Sequence, residues 1–340
     1  MLDPNEHEKE QLCVSLVVPV RDEAATIGEL LESIAAQTRR PDEVVFVDGG
    51  SRDETVALLR RADNIEGMRV RVIEAGDATP GRGRNVGIEA ARCEWIALTD
   101  AGNRLEPQWL ERLLEVARRD ASVAVVYGNY EPVTSTFFER CAALTYPAPK
   151  QMREGGLMRA PFIASSLLRR EVWREVGGFP DLRAAEDLMF MEAIEQKGFR
   201  IAWSPQATVW WQLRPTLAST FRKFVLYSRH NVWAGRQRFW HYGVARQYAL
   251  AAPFILLAVV HSAWWLLIPL AGMLARAAKS IWRRREGRGL LWALNPAQFA
   301  CVAALILTID LATFIGWAQA LGRTPSKQRA ESPATGKSGS

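Results

Sequence analysis

The chain has 340 residues, 49% hydrophobic and 24% charged, with a formal net charge of +6 at pH 7. That length suits one large α/β domain plus an appended segment, at about 100 to 200 residues per domain. The positive excess sits late, in Arg222, Lys223, Arg229, Arg236, Arg238 and Arg246 and again in Arg276, Lys279, Arg283, Arg284, Arg285 and Arg288, beside apolar stretches. Such clusters favour an anionic membrane surface and argue against nucleic acid as a partner, a solvated helix face being the plainer alternative. Cys13, Cys93, Cys141 and Cys301 lack the close spacing of a zinc site or redox dithiol and read as reduced thiols. The charged extension 1–11, followed by an apolar run only over 12–20, does not resemble a signal peptide, so the first domain is expected in the cytoplasm.

Residues 13–20 form an apolar run of strand length, and residues 26–29 offer a capping box for a helix carrying Ile27, Leu30, Leu31 and Ile34 on one face. The alternation repeats: a strand over 43–48 with a helix over 53–61, a strand over 69–74 with a helix over 85–91, and a strand over 94–100 with a helix over 107–118. Four strand–helix units predict an α/β fold with a Rossmann-like, mostly parallel sheet. Ligands of open sheets gather beyond the carboxyl ends of the strands. Those ends carry Arg21, Asp22 and Glu23, then Asp48 to Ser51, then Glu74, then Thr99 to Asn103. Turn chemistry explains any one of these loops, but carboxylates recurring along one edge carry more weight. Carboxylates can accept hydrogen bonds from a base and its ribose, whereas phosphates need cations or backbone N–H groups. A first loop reading Arg21-Asp22-Glu23, without glycines and a following Lys, does not match a triphosphate-gripping nucleotidyltransferase or kinase.

The segment Val17-Val18-Pro19-Val20-Arg21-Asp22-Glu23, followed by Val47-Asp48-Gly49-Gly50-Ser51-Arg52-Asp53-Glu54-Thr55, resembles the opening of family 2 inverting glycosyltransferases. Gly83-Arg84-Asn85-Val86-Gly87, residues 95–100 ending in Asp, Gly177-Gly178-Phe179 and Glu186-Asp187 continue the resemblance in order, over about residues 13–215. The nearest likeness is to succinoglycan-type surface-polysaccharide enzymes with late membrane segments. The resemblance implies a glycosyltransferase A type fold and a nucleotide diphosphate sugar donor, with UDP suggested by Asp48. The implied donor-binding set is Pro19, Glu23, Asp48, Ser51, Arg82, Arg84, Asn85, Asp100 and Arg214. Asp48 matches the uracil-binding carboxylate, Glu23 a nucleoside contact, and Asp100 the first carboxylate of the Asp-x-Asp motif that holds Mg or Mn against the diphosphate. Asp187 matches the catalytic base, which takes a proton from the acceptor hydroxyl in an inverting transfer. Two departures stand out: Gly102 replaces the second Asp of Asp-x-Asp, and Gly49 replaces the second Asp of the commoner Asp-Asp-Gly-Ser loop. One carboxylate plus substrate phosphates can hold magnesium, and Arg82, Arg84 and Arg214 are candidate phosphate partners. Gln212-Leu213-Arg214-Pro215 only approximates the family's Gln-x-x-Arg-Trp motif, one residue short.

Beyond the catalytic domain, expected over 12–214, residues 215–247 place Leu217, Phe221, Phe224, Val225 and Val232 at helical spacing opposite Arg222, Arg229 and Arg236, which reads as an interfacial amphipathic helix. Residues 248–322 hold two expected membrane segments, about 249–275 and 298–321, around a basic loop, with Asp310 a costly charge in the second. Two full spans would put that loop outside, against the positive-inside tendency, whereas re-entrant insertion near Pro253 and Pro269 would keep it inside. The tail 323–340 reads as disordered. The sequence thus points to an inner-membrane enzyme whose catalytic domain faces the cytoplasm, with a lipid-linked or membrane-proximal acceptor and membrane lipids as partners. A polyprenyl-phosphate sugar synthase and a non-catalytic sugar-nucleotide-binding scaffold are the competing readings.

Overall fold

The structure is a computed structural model that describes residues 12–62 and 69–322; the extension 1–11 and the tail 323–340 lie outside the described residues. In chain order the elements are β1 (Val14–Val20), α1 (Ile27–Ala35), β2 (Glu43–Asp48), α2 (Thr55–Arg61), β3 (Arg69–Glu74), α3 (Pro80–Ala90), β4 (Trp95–Leu98), β5 (Asn103–Leu105), α4 (Trp109–Arg119), β6 (Val125–Pro132) and α5 (Phe137–Ala143). There follow β7 (Gln151–Arg153), β8 (Gly156–Met158), β9 (Ser166–Arg169), α6 (Arg170–Val176), α7 (Glu186–Lys197) and β10 (Ile201–Trp211). The chain ends with α8 (Leu217–Trp233), α9 (His241–Val260), α10 (Leu267–Arg284), α11 (Leu290–Ala293) and α12 (Pro296–Gly322). Two compact units result, residues 12–133 with 148–212, and residues 134–147 with 213–322. Residues 134–147, expected within the catalytic domain, thus fold with the C-terminal unit, because α5 packs on α12.

The first unit is built on an eight-stranded sheet in the order β3-β2-β1-β4-β9-β6-β10-β5. β3, β2, β1 and β4 are mutually parallel, β6 and β10 are parallel, and β9 and β5 run against their neighbours. This is the mostly parallel, helix-flanked sheet the sequence predicts. β1 and β2 are apolar almost throughout because both faces are covered. Val14, Leu16 and Val18 pack with Leu30 and Ile34 of α1 and Leu110 and Leu113 of α4. Val17, Val45 and Val47 pack with Ile88 of α3 and Phe190 and Ile194 of α7.

The helix starts differ in detail from expectation. The capping box at residues 26–29 does not form: Thr26 keeps a helical backbone and its hydroxyl donates to the Glu23 carboxylate at 2.5 Å. α2 begins at Thr55, two residues beyond the expected Asp53, whose carboxylate accepts from the Thr55 backbone N–H. α3 begins at Pro80, well before residue 85, with the Thr79 hydroxyl capping the Arg82 backbone N–H. Its glycines set it hard against the sheet. A Cβ at Gly87 would lie 2.4 Å from Val17 Cγ1, and one at Gly81 would lie 2.1 Å from the Pro180 carbonyl oxygen. Cys13 and Cys93, expected as free thiols, are joined as a disulfide. The parallel pairing of β1 with β4 brings together cysteines 80 residues apart, which spacing alone does not reveal.

In the second unit α8 carries a complete capping box between Thr216 and Ser219. The membrane segment expected over 249–275, as a span or a re-entrant insertion, is divided between α9 and α10. The division falls at Ser262, whose extended backbone (φ −162°, ψ 137°) precedes a short 3-10 turn, Ala263–Leu266. α12 matches the second expected segment. α9 and α12 are long and apolar enough to cross a membrane by length and composition, with mean hydropathies of 1.6 and 2.2. The costly Asp310 is buried and satisfied: Arg276 of α10 holds it bidentately at 2.6 and 2.9 Å, and the Tyr248 hydroxyl of α9 donates to it at 2.9 Å.

Closing an 80-residue loop stabilises a fold by about 2–4 kcal/mol. Cys93→Ser is therefore expected to lower the denaturant midpoint of unfolding relative to the oxidised chain. Wild type treated with reductant should match the variant, and identical midpoints in all three samples would contradict the bond.

Candidate active site at the carboxyl edge of the sheet

The loops after β1 and β2 are latched to one another. Asp48 ends β2 almost completely buried, and its carboxylate accepts from the backbone N–H groups of Gly50 (3.0 Å) and Ser51 (3.1 Å) and from the Ser51 hydroxyl (2.5 Å). The Ser51 hydroxyl in turn accepts from the Asp22 backbone N–H at 2.9 Å, and the Asp22 carboxylate from the Arg52 N–H at 2.8 Å. Asp22 itself is left-handed, with φ 54°, which turns Glu23 away from the strand direction. The Glu23 backbone N–H donates to the Thr55 hydroxyl at 2.8 Å. Gly49, the departure from the commoner loop sequence, has a steric cause: a Cβ there would lie 2.7 Å from the Ala78 carbonyl oxygen.

Arg84 organises the second half of the site. Lifted over the sheet by the close packing of α3, it is almost fully buried; it donates to Asp100 at 2.6 Å and to Glu186 at 2.8 Å and lies over the Phe179 ring. Burial alone lowers a guanidinium pKa, but the charges of Asp100, Glu186 and Asp187 outweigh it and hold Arg84 firmly protonated. Arg84, expected as a phosphate partner, has its planar fork divided between two carboxylates. Asn85 is likewise committed within the fold. Its amide donates to the Phe179 carbonyl, and its side-chain oxygen accepts from the Trp173 indole and the Phe179 N–H. The left-handed Gly178 permits this, since a Cβ there would lie 2.9 Å from the Asn85 oxygen. Arg82 is exposed on α3, and Arg214 belongs to the second unit, where its backbone N–H donates to the Tyr146 hydroxyl. Pro19 lies inside β1, paired with Val47 and in contact distance of α3 at Gly83.

Glu186 and Asp187 open α7 directly after Ala185, a non-glycine residue held left-handed at φ 71°. That conformation costs roughly 1–2 kcal/mol, a strain concentrated at the carboxylate pair. Burial, reinforced by the Asp187 charge, pushes the Glu186 carboxyl up to about 7, against the pull of Arg84. One Glu186 oxygen accepts from Arg84, while the other is buried without a hydrogen-bond partner, as suits a carboxyl near its protonated form. Burial also raises the half-buried Asp187; Arg84 opposes the shift and Asp100 adds to it. Asp100 remains 40% exposed with one oxygen on Arg84. Glu23 lies beside the missing second acid of the Asp-x-Asp motif, its carboxylate 3.9 Å from where a Cβ at Gly102 would stand. Sequence reasoning named Glu186 only as a neighbour. Its signal was a second carboxylate beside Asp187 on a helix whose partner face carried Arg84.

Residues 15–177 match the family profile Glycosyl transferase family 2. The chain is 40% identical over 114 residues to the succinoglycan biosynthesis protein ExoO of Rhizobium meliloti, covering 33% of this chain and 31% of that protein. It is 25% identical over 209 residues to the O-antigen chain rhamnosyltransferase RfbN of Salmonella typhimurium, covering 58% of this chain and 65% of that protein. The chain thus spans about a third of the first relative's length and just under two thirds of the second's. Among solved structures, the mannosyltransferase PcManGT from Pyrobaculum calidifontis, in complex with GDP-Man and Mn2+, superposes with a TM-score of 0.56 at 21% identity, covering 92% of this chain and 89% of that one. That likeness establishes a glycosyltransferase A type fold.

Were Asp187 the base, it would have to be ionised to act, and activity would fall as pH drops through its raised pKa. Arg84 holds that value down. Arg84→Gln is expected to move the acid limb of the kcat/KM profile to higher pH and to lower stability by about 3–5 kcal/mol through the unpaired carboxylates. Arg84→Lys should leave the limb near its wild-type position, and a limb unmoved in Arg84→Gln would contradict the electrostatic link.

Proposed function

We propose that this chain, whose residues 15–177 are a glycosyl transferase family 2 domain, transfers a sugar with inversion from a nucleotide diphosphate donor to a lipid-linked or membrane-proximal acceptor in polysaccharide or glycolipid synthesis. The observation that carries the reading is the carboxylate cluster Asp100, Glu186 and Asp187 around one buried arginine at the carboxyl edge of the sheet. In this reading Asp187 accepts the proton of the attacking acceptor hydroxyl as the new glycosidic bond forms and the bond to the diphosphate breaks. The raised pKa of Asp187 favours that role, since a stronger base accepts the proton more readily. Glu186, its carboxyl pushed up to about 7, keeps Arg84 in place through their 2.8 Å ion pair. Asp48 and Glu23 serve the nucleoside, with uridine the base suggested by Asp48, and Arg82, exposed on α3, is a candidate cation for the diphosphate. The relatives named for succinoglycan and O-antigen synthesis support the polysaccharide context.

The residues fit a divalent cation. Asp100 retains an exposed carboxylate with one oxygen beyond its bond to Arg84, and Glu23 stands beside Gly102, where the motif's second acid is missing. Asp100 and Glu23 would hold Mg or Mn together with substrate phosphates, as one or two carboxylates commonly do. When bound, the ion would neutralise charge on the departing diphosphate. The Mn2+ that accompanies GDP-Man in the Pyrobaculum complex is consistent with that fit. Glu23 thereby moves from nucleoside contact alone to a shared role.

Asp187→Asn should abolish product formation, by at least about 100-fold, while leaving nucleotide diphosphate binding intact, as measured by product assay and calorimetry. Asp48→Ala should weaken binding of the preferred diphosphate in the same titration. Glu23→Gln and Asp100→Asn should each reduce the gain in diphosphate affinity that manganese provides. Cellular function left intact by Asp187→Asn, with no product formed by wild type or variant in the assay, would instead favour a non-catalytic scaffold.

A further inference from the structure

The second unit contains an apolar projection with no protein cover. Across Ala249 to Ala275 no residue carries a formal charge and none is buried; Leu256, Val259, Val260 and Trp264 are between 63% and 80% exposed. A continuous apolar surface on this scale is not left in water by a stable protein. The projection is a hairpin. Tyr248 of α9 and Arg276 of α10 meet on the same Asp310 carboxylate, and the two residues stand equally far along the chain from Ser262 at the turn. Phe254 and Trp265 stack across the turn region.

α12 forms a crossbar at the base of this hairpin. Its C-terminal half meets the start of α9, through Phe314 against Tyr248 and Trp317 against His241 and Tyr242. Its N-terminal end meets the far part of α10, where Phe299 shares a cavity of about 420 Å³ with Ala278, Ile281 and Trp282. α9 and α10 therefore leave α12 in opposite directions below Asp310, and the uncharged hairpin stands out from its middle. Charge returns where the hairpin meets the base: Arg246 on one arm, and Arg276, Lys279, Arg283, Arg285 and Arg288 on or after the other, with Glu286 the single acid among them.

The dimensions choose between crossing and dipping. From Ala249 to Val260 the helix rises about 18 Å, and from Leu267 to Ala275 about 14 Å. One leaflet of hydrocarbon is about 15 Å thick, half of the roughly 30 Å core, and a spanning helix needs about 20 apolar residues. We infer that the α9–α10 hairpin enters a single leaflet of an anionic bilayer and turns back within it, so that the basic segment 276–288 lies at the headgroups on the side from which α9 entered. Exposed Lys279, Arg283 and Arg288 then face lipid phosphate, and the tryptophans Trp282 and Trp292, each under an arginine, suit the same interface. Neither arm crosses, so the basic loop is not exported, and the conflict with the positive-inside tendency disappears. The inference rests on the lipid-linked or membrane-proximal acceptor proposed above and on the membrane association expected from the sequence.

Single cysteines at Ala263 in the turn, Arg288 in the basic segment and Arg118 on the catalytic unit test it, with the labelling of wild type as background. Carbonate washing of native membranes first reports attachment, and release of the full-length protein would overturn attachment and hairpin together. On sedimenting protein, a membrane-impermeant maleimide is applied to right-side-out and to inverted vesicles. The expected result is that Arg288→Cys and Arg118→Cys react in the same vesicle orientation and that Ala263→Cys reacts only after detergent. Reaction of Arg288→Cys in the opposite orientation from Arg118→Cys would show a complete crossing, and reaction of Ala263→Cys without detergent would show a turn exposed to water. Either result overturns the hairpin while leaving attachment and the sugar-transfer reading untouched.

Discussion

The candidate site depends on one buried cation. Removing a guanidinium from water is expensive, and Arg84 is tolerated only because two carboxylates take its hydrogen bonds and a third lies within its field. The same interaction acts in reverse on the acids. Without Arg84, burial would drive Asp187 and Glu186 still further toward their neutral forms. Arg84 reaches this position because Gly81, Gly83 and Gly87 let α3 lie against β1 and the Pro180 carbonyl more closely than any side chain permits. A glycine pattern that looks like a ligand loop is thus a packing device that carries one charge to the sheet edge.

Much of this was legible in the sequence, and the reasons are local. Apolar runs ending in Asp or Arg-Asp-Glu mark β1, β2 and β4 and locate Asp48 and Asp100 at one edge without any coordinates. The order of strands and helices likewise gives the mostly parallel sheet. What was not legible depends on partners distant in sequence. Arg84 bonds across 102 residues to Glu186, and Asn85 bonds to Phe179 and Trp173, partners that no local pattern displays. Gly49 looks like a lost acid, yet its cause is the Ala78 carbonyl on a neighbouring loop. The Cys13–Cys93 bond depends on strand pairing in the same way.

The second unit shows a different limit. An uncharged run of 27 residues fits a span or a re-entrant segment because hydropathy ignores direction, and the reversal at Ser262 leaves only a polar hydroxyl and an extended backbone as its trace. Asp310 seemed a burden within an apolar helix. It is the tie that gathers α9, α10 and α12, satisfied by Arg276 and Tyr248. In the proposed reading a water-soluble donor and a lipid-linked acceptor meet at an interface, and a hairpin anchored in one leaflet would hold the enzyme there without exporting any basic segment.

The central claim is that one carboxylate, Asp187, serves a single displacement at the sugar carbon. The most direct test is the anomeric configuration of the transferred sugar, read by proton NMR from its coupling constant in the first product formed from a donor of known configuration. The account predicts inversion, a β-linked product from an α-linked donor. A retained configuration would require a second displacement or a different mechanism and would contradict it.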